Sequence, residues 1–154
     1  MKTFLIVLAA FLAAVIVGLL GVLIFWKPAQ VPSQPVDVGN YPPLVSADGH
    51  LQVDLPHAND LISSPVAIEG SVTGGGWFFE ASFPIKVLDG DGTVLGTGNA
   101  QALSDWTSTG TVPFSASIVF TAPHFATGTI LFANDNPSGL PVDQKSFSVS
   151  VSFR

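Results

Sequence analysis

The chain has 154 residues, of which 47% are hydrophobic and 10% are charged, compared with roughly 25% charged residues in an average soluble domain. With 11 acids and 5 bases its formal net charge is −6, and an acidic surface repels phosphate backbones, which argues against nucleic-acid binding. Cysteine is absent, which excludes disulfides, thiolate catalysis, cysteine-ligated zinc and attachment through a lipidated cysteine.

Residues 4–26 form an uncharged apolar segment. As a helix it would reach about 35 Å, enough to cross a hydrocarbon core of roughly 30 Å. A cleaved signal peptide is the alternative, but its apolar core is normally about 7–15 residues long, and Phe25-Trp26-Lys27-Pro28 is a poor cleavage site. We predict that residues 1–26 are a transmembrane signal anchor whose residues 4–26 lie in the lipid bilayer.

The charges beside this anchor favour one orientation. Lys2 and the N-terminal amine outweigh Lys27, so the N-terminus is expected in the cytoplasm and the remainder outside the cell membrane. Residues 27–49 contain five prolines and are predicted to be a semi-rigid linker. This linker is either a stalk that crosses an envelope layer or an ordinary tether.

From residue 50 onward, apolar side chains recur at every second position, as in half-buried strands. The last strand is the clearest, because serines alternate with Phe147, Val149, Val151 and Phe153. A long strand is predicted over 77–87. Together, about seven strands and no helical stretch predict an all-β domain over 50–154, an immunoglobulin-like antiparallel β-sandwich with Greek-key connections.

Several stretches of this region resemble the immunoglobulin-like domain of bacterial spore-germination proteins. The segments concerned are Ser64-Pro65-Val66-Ala67-Ile68-Glu69-Gly70, 77–84, 91–95, 135–141 and Val151-Ser152-Phe153-Arg154. The resemblance covers about residues 50–154 and implies an extracytoplasmic bacterial domain with an interaction role and no established catalytic residues. Family members often carry a second germination-associated domain, and the sequence is similar to a stand-alone, membrane-anchored version without it.

Asp89-Gly90-Asp91-Gly92 has two interpretations. A calcium-binding EF-hand would need a glutamate at loop position twelve, where this chain has Ala100. An Asp-Gly pair between two strands is also a strong hairpin signal. We predict a hairpin turn.

A candidate ligand or partner surface is formed by two aromatic residues and one polar loop. On the predicted long strand, Phe78 points away from the inward face that carries Phe79, and Trp106 lies in a loop. Exposed aromatics can stack on glycans or anchor a protein partner, although such residues more often pack under a loop. The polar loop contributes Asn134, Asp135 and Asn136, which either cap a turn locally or bind a ligand, with Asp105 or Asp143 adding oxygens for a metal.

The residues typical of enzymes are scattered. The three histidines form no metal-binding pair, no nucleophile motif is found, and Glu69 and Glu80 fall on strands at outward positions. We therefore expect no catalytic residues, no cofactor and no metal.

The sequence favours a non-catalytic, membrane-anchored binding or scaffolding module of the bacterial cell envelope. Its partner would be another envelope protein or the same domain on a neighbouring chain. The alternative is a carbohydrate-binding module for a wall polymer.

Overall fold

The computed structural model describes residues 41–74 and 76–154, which fold into nine β-strands and one short 3₁₀ turn at Pro141–Asp143. The strands are β1 (Leu44–Val45), β2 (Leu51–Leu55), β3 (Leu61–Ile62), β4 (Val66–Thr73), β5 (Ser82–Asp89), β6 (Val94–Ala102), β7 (Thr111–Ile118), β8 (Thr127–Ala133) and β9 (Ser146–Phe153). The anchor predicted at residues 4–26 lies outside the described residues. Within the described ranges, no helix is long and apolar enough to span a membrane.

Hydrogen bonding joins the strands in the order β1-β2-β4-β7-β6-β5-β8-β9-β3. Seven strands have five to nine residues, which matches the predicted number. The two additional strands, β1 and β3, have two residues each, too few to produce a visible alternation in the sequence. All neighbours are antiparallel except β3 and β9, which run parallel with Leu61 opposite Ser152. The prediction of a purely antiparallel arrangement is wrong for this pair.

The strands form two layers that enclose one core. β1, β2, β4 and β7 lie on one side, and β6, β5, β8, β9 and β3 on the other. The layers are joined where Gln101 pairs with Ser115 and Ala102 pairs with Phe114. Phe83 of β5 is fully buried, and its ring centroid lies 5.0 Å from that of Phe114 in β7. Because β5 and β7 are not neighbours in the sheet order, this contact shows that the inner faces pack against each other.

The alternation predicted for β9 is confirmed, since Val149, Val151 and Phe153 are buried. The predicted long strand over 77–87 is wrong in its first half, because β5 starts only at Ser82. Before it, Glu80 and Ala81 have positive φ angles of 49° and 62°. Two consecutive left-handed residues interrupt the extended backbone, so Glu80 lies in a turn and not on a strand.

This turn reverses the expected orientation of two phenylalanines. Phe78 packs against the core, with its ring centroid 5.3 Å from that of Phe83. Phe79 is 40% exposed, and its backbone exchanges hydrogen bonds with Ser82 at 3.0 and 3.1 Å. The predicted positions, with Phe79 inward and Phe78 on the opposite face, are therefore the wrong way round.

The domain has two ends, which we define by their loops. The distal end carries residues 76–81, 103–110 and 134–145, which connect β4 to β5, β6 to β7 and β8 to β9. The proximal end carries both ends of the described chain. There the ring of Tyr41 stacks on that of His57 with centroids 4.1 Å apart, and the N–H of Arg154 donates to the carbonyl of Ile62 at 3.1 Å.

At the proximal end, the hairpin predicted at residues 89–92 is confirmed. β5 and β6 are antiparallel neighbours, and the N–H of Asp89 donates to the carbonyl of Thr93 at 2.8 Å. Gly92 has φ 86°, a conformation that glycine adopts without steric cost. The Asp-Gly sequence therefore forms the hairpin turn between β5 and β6.

The carboxylate of Asp89 also fastens a second loop to this hairpin. It is buried and accepts N–H groups from Gly90 at 2.9 Å, His124 at 2.8 Å and Phe125 at 3.2 Å. Burial raises the pKa of Asp89, but these backbone N–H groups outweigh it and hold the pKa below its ordinary value. The connection between β7 and β8 is thus tied to the β5–β6 turn.

Candidate functional site

The distal end contains a depression of about 460 Å³ between the loop that precedes β5 and the loop that follows β8. Its wall combines aromatic rings with amide, hydroxyl and carboxylate groups. The residues that line it are Gly76, Phe78, Phe79, Asn134, Asp135, Asn136, Pro137, Ser138, Val142, Asp143 and Lys145. Four of the five surface residues proposed from the sequence are among them, namely Phe78, Asn134, Asp135 and Asn136.

Asn134 organises the loop over 134–145. Its side chain is buried, and its amide nitrogen donates to the carbonyl of Asp143 at 2.9 Å. Its amide oxygen accepts the N–H of Lys145 at 2.7 Å and the side-chain nitrogen of Gln144 at 3.0 Å. The amide nitrogen also donates to the carbonyl of Gly76 at 3.5 Å. Four polar partners within the protein therefore occupy this side chain, and its role is to position the loop.

The rim beyond Asn134 is held by further polar contacts. The amide nitrogen of Asn136 donates to the carbonyl of Leu140 at 2.9 Å. The hydroxyl of Ser138 lies 2.6 Å from the amide oxygen of Asn136 and 2.8 Å from the carboxylate of Asp143. The N–H of Asp135 donates to the carbonyl of Trp77 at 3.2 Å. These internal hydrogen bonds fix the loop to itself and to the segment that precedes β5.

Trp106, the fifth proposed residue, lines a second and smaller depression of about 250 Å³ at the same end. Phe78 lines both depressions, so it lies between Trp106 and the polar loop. Trp106 is 36% exposed and Phe79 is 40% exposed.

The sequence does not predict Phe79 or Val142 as surface residues of this site. The turn at Glu80 disturbs the alternation around Phe79, and Val142 lies in a loop without periodicity.

Asp105, which the sequence offers as an oxygen ligand for a metal beside the polar loop, closes a local turn. Its carboxylate accepts the hydroxyl of Thr107 at 2.7 Å and the N–H of the same residue at 3.0 Å. Both hydrogen bonds lower the pKa of Asp105, and the bond from the hydroxyl has the larger effect. Among residues 41–74 and 76–154, no group of three or more His, Cys, Asp or Glu side chains could hold a metal ion.

A family model described as the immunoglobulin-like domain of bacterial spore germination matches residues 50–139, more than half of the chain. The chain belongs to this family. No curated protein and no solved structure matches the chain. The matched part of this germination-type immunoglobulin-like domain includes Phe78, Trp106 and the residues 134–136, and it ends within the loop over 134–145.

The germination-type domain also contains a polar cluster around Asp48, in the segment that the sequence assigned to the linker. The carboxylate of Asp48 accepts the hydroxyl of Ser46, the N–H of His50 at 3.1 Å and the indole N–H of Trp77 at 3.3 Å. It also pairs with the amine of Lys145 at 3.2 Å. Asp48 therefore connects the turn after β1 to both loops of the larger depression.

Asp48→Asn should remove a pH-dependent part of the domain's stability. Burial raises the pKa of Asp48, but hydrogen bonds from Ser46, His50 and Lys145 lower it to about 2. Because the unfolded value is about 3.9, the carboxylate stabilises the fold above about pH 4 and loses this effect as the pH falls to about 2. With allowance for solvent screening, we expect an effect on the order of 1–2 kcal/mol.

Urea unfolding of the full chain in detergent, followed by tryptophan fluorescence at several pH values, measures this effect. Asp54→Asn is the matched control, because the Asp54 carboxylate accepts only the side-chain amide of Gln52 among the described contacts. Between about pH 4 and pH 2, the unfolding free energy of Asp54→Asn should fall as much as that of the wild type. An equally steep loss in Asp48→Asn would contradict the assigned role.

Proposed function

We propose that this germination-type domain is a non-catalytic binding module of the bacterial cell envelope, anchored in the membrane by residues 4–26 with its domain outside. Its distal end would contact another envelope protein. The observation that carries this proposal is the position of two partly exposed aromatics, Phe79 and Trp106, beside ordered polar loops at the end opposite both termini of the domain. The family supports a binding role and supplies no catalytic residues.

The position of the chain entry supports this orientation. Tyr41 stacks on His57 at the proximal end, so any tether that precedes Tyr41 enters there. β4 has eight residues, and at about 3.3 Å per residue the distal loops lie roughly 25 Å from that entry. A domain tethered in this way presents its distal loops away from its attachment.

The chemistry of the distal end suits a protein partner. Phe79 is 40% exposed and Val142 is 86% exposed, and apolar side chains that lie beside fixed polar groups form the centres of protein interfaces. Asp135 and Asp143 place carboxylates on the rim. Because charge complementarity guides association, basic side chains are expected on the partner.

The second candidate is a wall carbohydrate. It is favoured by the aromatic faces of Phe79 and Trp106, since sugars stack on aromatic rings while amide and carboxylate groups bind their hydroxyls. Co-sedimentation of the detergent-solubilised full chain with purified peptidoglycan separates the two candidates. If the wild-type chain sediments with peptidoglycan and both Phe79→Ala and Trp106→Ala do not, the wall polymer is the ligand and the protein-partner proposal is wrong.

The protein-partner proposal predicts site-specific cross-linking in living cells. A photoreactive amino acid at Val142 of the full chain should yield one adduct of defined mass, and Phe79→Ala in the same chain should abolish it. The matched control places the probe at Leu61, which is 54% exposed at the proximal end and should give no such adduct. Equal adducts at both positions, or an adduct that survives Phe79→Ala, would overturn the proposal.

The membrane topology can be tested separately, because the chain has no cysteine. In the single variant Ser148→Cys, an exposed position on β9, a membrane-impermeant maleimide should label intact cells. Thr3→Cys should react only after lysis. Labelling of Ser148→Cys only after lysis would show that the domain lies on the inner side.

A further inference from the structure

Large apolar side chains are exposed at the proximal end of the domain as well as at the distal end. Among the described residues, eleven large hydrophobic side chains are exposed, and all but Val45 lie at one of the two ends. We define the proximal patch as the five at the proximal end, which are 48% to 73% exposed: Tyr41, Leu61, Val94, Val119 and Phe125. A partner at the distal end does not cover this patch.

The segments that carry the proximal patch are fastened to one another. The N–H of Phe120 donates to the hydroxyl of Ser64 at 2.9 Å, which joins the loop after β7 to the segment between β3 and β4. The N–H of Thr121 donates to the carbonyl of Leu95 at 3.1 Å, which joins the same loop to the start of β6. The Asp89 carboxylate joins this loop to the β5–β6 hairpin. The patch therefore lies on one connected surface.

Charge at the proximal end is low, and its carboxylates have local partners. Those of Asp60 and Asp91 accept backbone N–H groups of their own loops at 2.8 and 2.9 Å, and Asp89 is buried. The loop over 119–126 contains no lysine, arginine or acid, and Arg154 is the only lysine or arginine at this end among the described residues. Such a surface offers apolar side chains, and little charge, to a lipid interface.

The entry of the chain indicates which surface the patch would meet. Tyr41 belongs to the patch, and tyrosine is enriched at membrane interfaces. Only residues 27–40 separate it from the apolar segment over 4–26, and fully extended these 14 residues would span at most about 43 Å. A tether of this length keeps the patch close to the bilayer, and this confinement raises the effective concentration of a weak contact.

We propose that the proximal patch rests on the outer surface of the lipid bilayer, with its apolar side chains inserted among the headgroups. This inference rests on the membrane anchor of the proposed function and goes beyond it, because it assigns a lipid contact to the folded domain itself. The segment over 27–40 then acts as a short tether and not as a stalk. The contact also keeps the distal loops directed away from the membrane.

Fluorescence quenching of the full chain in liposomes tests this contact. The chain has no cysteine, so Val119→Cys can carry a bimane label as its single probe. In vesicles of phosphatidylethanolamine and phosphatidylglycerol, nitroxide-labelled lipids should quench this label. Aqueous iodide should quench it several-fold less than the same label at Val142→Cys, the matched control, which replaces a valine that is 86% exposed at the distal end. Vesicles of phosphatidylcholine alone should give the same result, because the contact is apolar.

A second substitution tests the patch itself. Val94→Glu, in the chain labelled at position 119, should abolish quenching by the nitroxide lipids, because a carboxylate then faces the bilayer. Val94→Leu keeps an apolar side chain and should retain the quenching, with circular dichroism showing that both variants fold.

Three results would overturn the inference and leave the anchor in place. They are equal iodide quenching at the two label positions, lipid quenching that survives Val94→Glu, and a label shielded from both quenchers, as when protein covers the patch. A full chain that does not float with the liposomes would overturn the anchor and the lipid contact together.

Discussion

Phe83→Ala should destabilise the domain by about 3–5 kcal/mol, the usual cost of deleting a buried phenylalanine ring. The ring of Phe83 is fully buried, and its centroid lies 5.9 Å from that of Trp77, 5.3 Å from Phe78 and 5.0 Å from Phe114. It therefore connects the two layers and supports the aromatic residues beneath the distal depressions. Domains of this size have total stabilities of about 5–15 kcal/mol, so the loss would be a large fraction of the total.

The free energy of unfolding of the full chain in detergent, from urea titration, measures this effect. Phe79→Ala is the matched control because it deletes the same atoms from a side chain that is 40% exposed, and its cost should stay below about 1.5 kcal/mol. Similar losses for the two variants would show that the core is not centred on Phe83.

The second large effect is expected for Gly70→Ala in β4. A Cβ atom at Gly70 would lie 2.2 Å from the carbonyl oxygen of Gln52 and 2.7 Å from the ring of Phe114. The carbonyl belongs to the paired strand β2 and cannot move without disturbing the β2–β4 ladder. Overpacking typically costs 1–3 kcal/mol, and this rigid contact should place Gly70→Ala at about 3 kcal/mol or more.

Gly98→Ala separates a backbone clash from a side-chain clash. A Cβ atom there would meet the terminal methyl of Ile118 at 2.3 Å, but a rotamer change can move that methyl, so the cost should be below about 1.5 kcal/mol. Replacing glycine by alanine also reduces the entropy of the unfolded chain, which contributes about 0.4–1 kcal/mol of stability in both variants. A smaller loss for Gly70→Ala than for Gly98→Ala would contradict the argument.

The strands that the sequence predicts well are those whose inner and outer residues differ in polarity at every step. In β9, serines alternate with Val149 and Val151, and the buried side matches the pattern. The pattern fails at Phe78 and Phe79, because two residues with positive φ angles lie between them and β5. Glutamate and alanine carry no marked signal for that conformation, so a continuous strand was the natural prediction.

The candidate surface was predicted only in part, because its supports are contacts between residues distant in sequence. The sequence singles out Phe78 and Trp106 because the core pattern does not explain them, and residues 134–136 because they form a polar loop between the last two strands. The structure brings all of them to the distal end. Asp48 was missed, since its partners Trp77 and Lys145 are 29 and 97 positions away. No local periodicity reports such a contact.

The direction of β1 determines how the domain would respond to mechanical load. β1 runs from the proximal end toward the distal end, antiparallel to β2, with Leu44 opposite Val53 and Val45 opposite Gln52. A force that pulls the start of β1 away from the distal end acts along this strand. The β1–β2 hydrogen bonds and the contacts of Asp48 then share the load in shear, and do not open one at a time.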